Sequence, residues 1–381
     1  NMKFSFQTCV IVLFASLIGV ASCKKLDDEP ENGLPTLISR LYISFSDYRT
    51  NNSIKNLFIV DPSDTNTLDN TFQYLSPARG GGPVLFDPNA TSIFQASEGG
   101  VAQDTFIQRI TLDDVYGKPG DASALGFTGF RNVRGLAYYT YAQQNGTGGS
   151  AVTNFLLAAT GGNMLYAISR PEGKGGAGGS KIIDKQISLG DIEPVSLTLL
   201  QGNPADKNEK WVLIGFNDEA KNRIGFAVYK GLRQELIDRA RDTIINKDRF
   251  EPALTVYVEG KTDLRAVSYA PNRKLFAVTA GKEVLFFRNP DVLFSESGNK
   301  PIVPDYVIAG SKTGFDRPQG IAIDDRVKNG KFFYVSDYNS KKILRFNLTD
   351  QGGDIAPELT KAYGTLTPNY IFLDAREETN F

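Results

Sequence analysis

The sequence predicts an all-β fold: a six-bladed β-propeller in which strands from the two ends of the domain share one blade. Three observations carry this prediction. An apolar segment recurs six times, short β-rich strands lie between turn residues, and incomplete units at the two ends complement each other. Of the 381 residues, 41% are hydrophobic. That apolar content is enough to build the core that a ring of blades needs.

The recurring segment is an apolar strand that follows a turn, and it marks the start of each unit. Its copies are GGPVLFD (81–87), VRGLAYY (133–139), IEPVSLT (192–198), LRAVSYA (264–270), PQGIAID (318–324) and PNYIFLD (368–374). The second residue of each copy is its anchor position. The anchor residues are Gly82, Arg134, Glu193, Arg265, Gln319 and Asn369. Successive anchors lie 50 to 72 residues apart, which is the length of a propeller blade with loop insertions.

Further strands follow most of these segments. Val, Ile, Phe and Tyr alternate there between Gly, Asn and Asp turns, which is the pattern of strands in hairpins. Predicted second and third strands lie at 92–97, 105–112, 154–169, 210–230, 274–288 and 331–348. Predicted fourth strands lie at 181–189, 254–260 and 305–310.

The two ends of the repeat array are incomplete in opposite ways. Residues 40–64 resemble the second and third strands of a unit, but no first strand precedes them. The segment at 368–374 is a first strand with no strands after it. We therefore predict that residues 368–375 form the innermost strand of a blade whose outer strands come from about 40–76, so that the ring closes without exposed sheet edges. An open solenoid and a two-domain β-sandwich are the alternatives.

Composition excludes several classes of function. The chain has no histidine, which excludes a Ser-His-Asp triad, a histidine general base and His-ligated zinc or iron. Lys and Arg total 42 against 43 for Asp and Glu, so no net charge attracts nucleic acid and we expect no such partner. With only two cysteines, Cys9 and Cys23, we expect no contribution from disulfides.

The N-terminal region reads as a targeting segment rather than as part of the fold. After Lys3, the run CVIVLFASLIGVAS at 9–22 has the length of a secretory signal and is short for a membrane span. It ends in VASC, which resembles a bacterial lipobox in which Cys23 becomes the lipidated first residue. An ordinary signal peptide cleaved near Ala21 or Ser22 is the alternative. The predicted organisation is a lipoprotein signal peptide at 1–22, a flexible tether at 23–39 after the lipidated Cys23, and the propeller at 40–381.

The residues after Cys23 favour one location. The stretch KKLDDEPENG resembles the surface-export signal of Bacteroidetes lipoproteins, with a Lys before an acidic cluster. This resemblance implies an outer-membrane lipoprotein, exposed at the cell surface and attached through its lipid. A periplasm-facing lipoprotein is the alternative.

One unit resembles a known repeat family closely. The segment GFDRPQGIAIDDRVKNGKFFYVSDYNSKKILRFNL at 314–348 is similar to an NHL repeat in its F..P.GIA.D start and its G..YV.D..N..I..F continuation. The other five units match only loosely. The resemblance implies a six-bladed propeller of the broad group that includes NHL domains, strictosidine synthases and gluconolactonase-like enzymes. Because that group holds both protein- or RNA-binding modules and hydrolases, the fold alone does not select a function.

The anchor positions are candidate ligand-binding residues, since first strands line the channel of a propeller and the residues before them surround one mouth. The candidates are Arg134, Glu193, Arg265, Gln319 and Asn369. Such convergent donors suit a carboxylate, a phosphate or sugar hydroxyls. The alternative is that the three charged side chains pair with one another and join adjacent blades.

A second set of candidates lies where first strands end. Asp87, Asp324 and Asp374 belong to units that are neighbours in the predicted ring, and carboxylate oxygens could hold calcium, the one cofactor we consider. Turn capping after a strand is the alternative for each aspartate. The resemblance to calcium-dependent lactonase propellers supplies no metal-ligand pattern that maps onto this sequence.

These observations favour a surface-anchored lipoprotein that acts as a binding or scaffold propeller for a glycan, a peptide or a partner protein. We assign no catalytic residue. One alternative is a calcium-dependent hydrolase similar to lactonases and gluconolactonases. Another is a structural part of an envelope complex without a small ligand.

Overall fold

The computed structural model describes residues 37–51, 53–99, 104–144, 150–174 and 182–377, which form six sheets. Their strands pair antiparallel, except for two parallel pairs at outer edges. Each sheet is one blade, and the inner strands of neighbouring blades contact each other around a closed ring. The predicted six-bladed propeller is therefore confirmed. Within the described ranges no helix is long and apolar enough to cross a bilayer. The predicted signal peptide, Cys23 and most of the predicted tether lie outside these ranges.

The blades are named in chain order, beginning with the closing blade that contains the first strand. The closing blade contains β1 (Ile38–Phe45), β2 (Leu57–Val60) and β3 (Phe72–Tyr74), and the first blade contains β4 (Gly81–Asp87), β5 (Ser92–Ser97), β6 (Phe106–Asp113) and β7 (Lys118–Gly126). The second blade contains β8 (Val133–Gln144), β9 (Ser150–Thr160), β10 (Met164–Ser169) and β11 (Lys185–Ser188). The third blade contains β12 (Ser196–Asn203), β13 (Asp206–Asp218) and β14 (Arg223–Tyr229).

The remaining strands complete the ring and add two strands at blade edges. The short strand β15 (Ile244–Ile245) pairs with β11, and β16 (Leu254–Glu259) completes the third blade. The fourth blade contains β17 (Leu264–Ala270), β18 (Leu275–Ala280), β19 (Glu283–Arg288) and β21 (Tyr306–Ile308), while β20 (Gly298–Pro301) pairs with β16. The fifth blade contains β22 (Pro318–Ile323), β23 (Phe332–Asp337), β24 (Lys342–Asn347) and β25 (Leu359–Ala362). The last strand, β26 (Pro368–Arg376), is the inner strand of the closing blade.

Helical structure in the described part is limited to single turns. Five are short 3-10 or π turns, at Thr128–Phe130, Pro171–Gly173, Glu219–Lys221, Gln234–Asp238 and Ser311–Thr313. The four-residue α1 (Pro290–Leu293) is the single α-helix among the described residues.

The closing blade joins the two ends of the propeller as the sequence predicted. β26 runs antiparallel to β1 along the whole length of β1, with Leu41 opposite Leu373. This pairing covers the inner edge of β1, which would otherwise offer unpaired N–H and C=O groups to another chain.

The hydrophobic core consists of six clusters, and each cluster lies between two neighbouring blades. Successive residues of β1 show why: Leu41 packs into the cluster shared with the fifth blade, whereas Tyr42 packs into the cluster shared with the first blade. Both faces of a blade are therefore buried. This explains why the strands carry apolar residues at consecutive positions as well as at alternate ones.

The inner strands all begin at one face of the ring, the upper face, and end at the opposite, lower face. Five inner strands contain a β-bulge at the predicted anchor, where the register skips a residue such as Arg134, Arg265 or Gln319. A bulge redirects the side chains beside it. These anchors therefore lie together at the upper face.

The third blade departs from the prediction by two residues. Its inner strand begins at Ser196, and the N–H of Val195 bonds to the carbonyl of Gly215, the partner of Ser196 in the sheet. The position equivalent to the anchors is therefore Val195, and the placement of the anchor at Glu193 was wrong. Glu193 lies in the turn before the strand, where Pro194 follows it.

Candidate functional site

The inner strands of all six blades surround a central channel with a volume of about 350 Å³. One apolar residue from each blade lines it directly below the bulges: Val84, Leu136, Leu197, Val267, Ile321 and Ile371. Most residues just above this ring are small, as with Gly135, Ser196 and Ala266, whereas Tyr370 is large. The channel therefore contains a ring of aliphatic side chains, and the aromatic Tyr370 lies near its upper end.

Charged side chains gather at the upper mouth of this channel. Arg134 and Arg265 line the channel, and the phenol of Tyr370 lies in the electrostatic field of Arg134, Glu98 and Arg317. Burial raises the pKa of Tyr370, and the two arginines oppose that increase. We call these five residues, together with Tyr338, the mouth cluster.

Tyr338 links the mouth cluster to the closing blade. Its hydroxyl accepts a hydrogen bond from Ser46 Oγ at 3.4 Å and donates one to Glu98 Oε1 at 3.3 Å. The guanidinium of Arg317 lies 4.8 Å above the Tyr338 ring. Burial raises the pKa of Glu98, and the hydrogen bond from Tyr338 opposes that increase. The mouth therefore contains an ordered carboxylate beside its cations.

Arg134 is the member of the mouth cluster whose side chain has the fewest partners. Its side chain is half-buried, and no described residue forms a hydrogen bond or an ion pair with its guanidinium. A guanidinium carries five N–H donors, and those of Arg134 stay open to solvent and so to a ligand. The geometry therefore presents Arg134 as a donor to a group that enters the channel.

Arg265, by contrast, is occupied within the protein. Nη1 donates to the carbonyl oxygens of Gly281 at 2.7 Å and Pro318 at 3.1 Å, and Nη2 pairs with Asp263. These bonds join the fourth blade to the fifth. Burial lowers the pKa of Arg265, and its Nε has no partner among the described residues.

None of the other predicted ligand-binding residues forms a hydrogen bond or an ion pair with Arg134 in the described part of the chain. Glu193 is exposed and accepts a hydrogen bond from the N–H of Gly162 at 3.2 Å. It pairs with neither arginine, so the alternative in which the three charged side chains satisfy one another is not what the structure shows. Asn369 is buried and donates to the carbonyl of Gly81 at 2.9 Å. Gln319 is also buried, and its Oε1 has no partner in the described part of the chain.

The lower end of the channel carries a different set of polar groups. Asp325 lines the channel there with Tyr138 and Tyr269. Burial raises the pKa of Asp325 to about 6, although its carboxylate accepts hydrogen bonds from Asn272 Nδ2 at 2.8 Å and from the N–H of Arg273. Burial also raises the pKa of both tyrosines. Asp325 was not among the residues selected from the sequence.

The three aspartates considered for calcium also lie at the lower face, but each has its own partners. Asp324 is fully buried and pairs with Arg326 at 2.6 Å, and Asp374 pairs with Arg376 at 2.7 Å. Asp87 accepts hydrogen bonds from two N–H groups in the turn that follows it. Across the described ranges, no group of three Asp, Glu, Cys or His side chains is placed to hold one ion. Calcium binding by these residues stays a prediction.

Four members of the mouth cluster were not among the sequence candidates: Glu98, Arg317, Tyr338 and Tyr370. Two of them could have been found from the repeats. Arg317 directly precedes the PQGIAID segment, and Tyr370 directly follows an anchor. Glu98 and Tyr338 come from loops between second and third strands, and no sequence signal connects these loops to the channel.

Comparison with known proteins supplies distant structural similarity alone. No protein-family model and no curated sequence matches the chain. Pseudomonas aeruginosa periplasmic gluconolactonase, PpgL, is 12% identical with a TM-score of 0.49, over 89% of this chain and 99% of that one. Kuenenia stuttgartiensis hydrazine synthase is 14% identical with a TM-score of 0.43, over 78% and 72% of the two chains. The Dos1 propeller is 8% identical with a TM-score of 0.39, over 82% and 66%. At these values no residue role transfers, and the sheet topology carries the fold assignment.

Proposed function

We propose that this chain is a membrane-anchored binding propeller whose upper channel mouth takes an acidic group of a glycan, a peptide or a partner protein. One observation carries the proposal. Arg134 is a half-buried residue that lines the channel, and its guanidinium has no hydrogen-bond or ion-pair partner among the described residues. No catalytic role is assigned to any residue.

The chemistry of the mouth selects the ligand group. A guanidinium binds a carboxylate through two parallel hydrogen bonds, and such charge-assisted bonds are stronger than neutral ones. Arg317 adds positive charge nearby, while Glu98 adds negative charge. A single acidic group fits this field better than a multiply charged anion. The Glu98 carboxylate would in turn accept a hydroxyl or amide N–H beside that group.

The wall below the mouth adds a second requirement. Aliphatic side chains from all six blades line it, so the part of the ligand that enters the channel should be apolar or narrow. A peptide C-terminus with an apolar last residue meets both requirements. A uronic acid at the end of a glycan meets the first.

Anchoring to the outer membrane is the second part of the proposal, and the N-terminal sequence supports it. The run that ends in VASC resembles a lipobox, and the charged residues after Cys23 resemble a surface-export signal. The protein would therefore act as a cell-surface lipoprotein that presents its propeller to a ligand. The resemblance of 314–348 to an NHL repeat agrees with a binding role.

Binding of a short apolar peptide with a free C-terminal carboxylate tests the first part. We expect calorimetry to detect binding to the wild type and a weakening by about 10-fold or more in Arg134→Met, because a charge-assisted bond is lost. The same peptide with an amidated C-terminus should bind the wild type as weakly as the acid binds the variant. A trisaccharide that ends in a uronic acid, and its methyl ester, provide the parallel glycan pair.

Arg131→Met is the matched control, because Arg131 is exposed before β8 and does not line the channel. It should leave both affinities unchanged. Equal affinity of Arg134→Met and the wild type for the two acids would refute the mouth as the acid-binding site.

A further inference from the structure

Three neighbouring blades meet where the described chain enters the propeller at the lower face. Ile38 starts β1 and pairs with Arg376 at the end of β26. The Arg376 guanidinium binds both carboxylate oxygens of Asp114 in the first blade, at 2.6 and 3.0 Å. Next to Arg376, the Glu377 carboxylate accepts a hydrogen bond from the N–H of Lys328 in the fifth blade. The closing, first and fifth blades are therefore held together at this point.

Each of the loops joined here exposes large apolar side chains. Leu37 precedes Ile38, Val115 and Tyr116 follow Asp114, and Val327 precedes Lys328. Their exposed fractions are 51%, 54%, 73% and 60%. We call these four residues the lower patch. Single exposed hydrophobic residues are common on proteins, but several gathered around one point indicate an interaction site.

The upper face differs. Among the described residues it exposes two large hydrophobic side chains, Leu75 at 43% and Phe106 at 42%, which belong to different blades. The first-blade loop of the lower patch is held in place by hydrogen bonds of its own, since Asp113 Oδ1 accepts from the N–H groups of Val115 and Tyr116. A loop that is already ordered loses little conformational entropy when its side chains bind.

We propose that the lower patch rests on the lipid surface of the membrane, so that the channel mouth points away from it. This inference depends on the anchoring part of the proposed function. Residues 24–36 connect Cys23 to Leu37, and a chain of that length reaches at most about 50 Å when extended. Because that segment joins the propeller at Leu37, within the lower patch, a lipid on Cys23 brings this face to the bilayer first. Aliphatic and tyrosine side chains suit the interface between headgroups and acyl chains.

Fluorescence quenching on vesicles tests the orientation. Cys9 and Cys23 are the only native cysteines, so a thiol-reactive fluorophore can report on Tyr116→Cys once Cys23 is lipidated. The lipidated chain is reconstituted in vesicles of phosphatidylethanolamine and phosphatidylglycerol with brominated acyl chains. We expect the probe at 116 to lose about half of its emission, because interfacial side chains lie within reach of the acyl chains. The matched probe at Leu75→Cys, on the upper face, should lose almost none.

A second variant tests whether the quenching depends on the lower patch rather than on the fluorophore. Val327→Asp in the Tyr116→Cys chain should remove most of the quenching while the protein still floats with the vesicles. Flotation without quenching at 116 in the parent chain would overturn this inference and leave anchoring intact. Failure to float would overturn anchoring and the inference together. A dimer of the Cys23→Ser chain in analytical ultracentrifugation that Val327→Asp dissociates would assign the patch to a second copy instead.

Discussion

Arg326 Nη2 lies 2.7 Å from Asp64 Oδ2, and this ion pair joins the fifth blade to the closing blade. The same guanidinium binds Asp324, which is fully buried, at 2.6 Å. Arg326 therefore stands at the junction through which the ring closes, between residues that are 262 positions apart in the chain.

Arg326→Met should destabilise the propeller by about 3–5 kcal/mol, because it leaves the buried carboxylate of Asp324 without its counter-ion. Urea unfolding followed by the fluorescence of Trp211, the single tryptophan, measures the change. The double variant Asp324→Asn, Arg326→Met is the control, and it should recover much of the loss because no buried charge remains unpaired. If the single and double variants were equally unstable, the ion pair would not be the cause.

The fold could be predicted because propeller blades repeat a strong local pattern. The half-unit at 40–64 and the lone first strand at 368–374 each lack what the other supplies, and β26 does pair with β1. Strand pairing of this kind depends on backbone hydrogen bonds and on apolar residues at successive positions. The backbone hydrogen bonds are available to almost every residue and the apolar pattern is visible in sequence, so the prediction needs no knowledge of distant side chains.

The site could be predicted only in part, because side chains at equivalent positions choose different partners. Arg134 and Arg265 occupy the same bulge position in two blades, yet Asp263 beside Arg265 engages its guanidinium while Arg134 has no such neighbour. In the third blade the pattern shifts by two residues, so Glu193 was mistaken for a channel residue. A small residue followed by an aliphatic one, as in Gly135–Leu136 and Ser196–Leu197, marks the same position in most inner strands. This pair aligns the repeats better than the predicted anchor position does.

Asn369 and Gln319 occupy equivalent bulge positions in different blades, and both carry a buried side-chain amide. Replacing each with an apolar residue should change the free energy of unfolding differently. Asn369→Leu removes the donor to the buried carbonyl of Gly81 and should destabilise the protein by about 1–3 kcal/mol. Gln319→Met removes an oxygen that has no partner among the described residues, so the free energy of unfolding should stay the same or rise. Urea midpoints of the two variants, compared with the wild type, measure both effects. A destabilisation of equal size in both would contradict this account.

The carboxyl group of Asp325 should make the propeller less stable as the pH rises from about 4 to about 6. Burial raises its pKa from the model-compound value of 3.8 to about 6 in the folded protein. Between these two values the folded state binds more protons at this site than the unfolded state does, so the free energy of unfolding falls with increasing pH. Above pH 6 the carboxylate is charged in both states, and the folded protein bears the full cost of its desolvation.

Asp325→Asn removes this cost and keeps one oxygen, which can accept one of the two hydrogen bonds that Asn272 and Arg273 donate to different oxygens of the carboxylate. The variant should match the wild type near pH 4 and exceed its stability by about 1–2 kcal/mol at pH 7, a value reduced for the partial exposure of the site. Urea unfolding at several pH values measures the difference between variant and wild type, in which the contributions of the other carboxyl groups cancel. Asp350→Asn is the matched control, because the side chain of Asp350 is 98% exposed and its carboxylate is already solvated. A stability difference for Asp325→Asn that stays constant across the pH range would show that the buried charge at the lower end of the channel is not its cause.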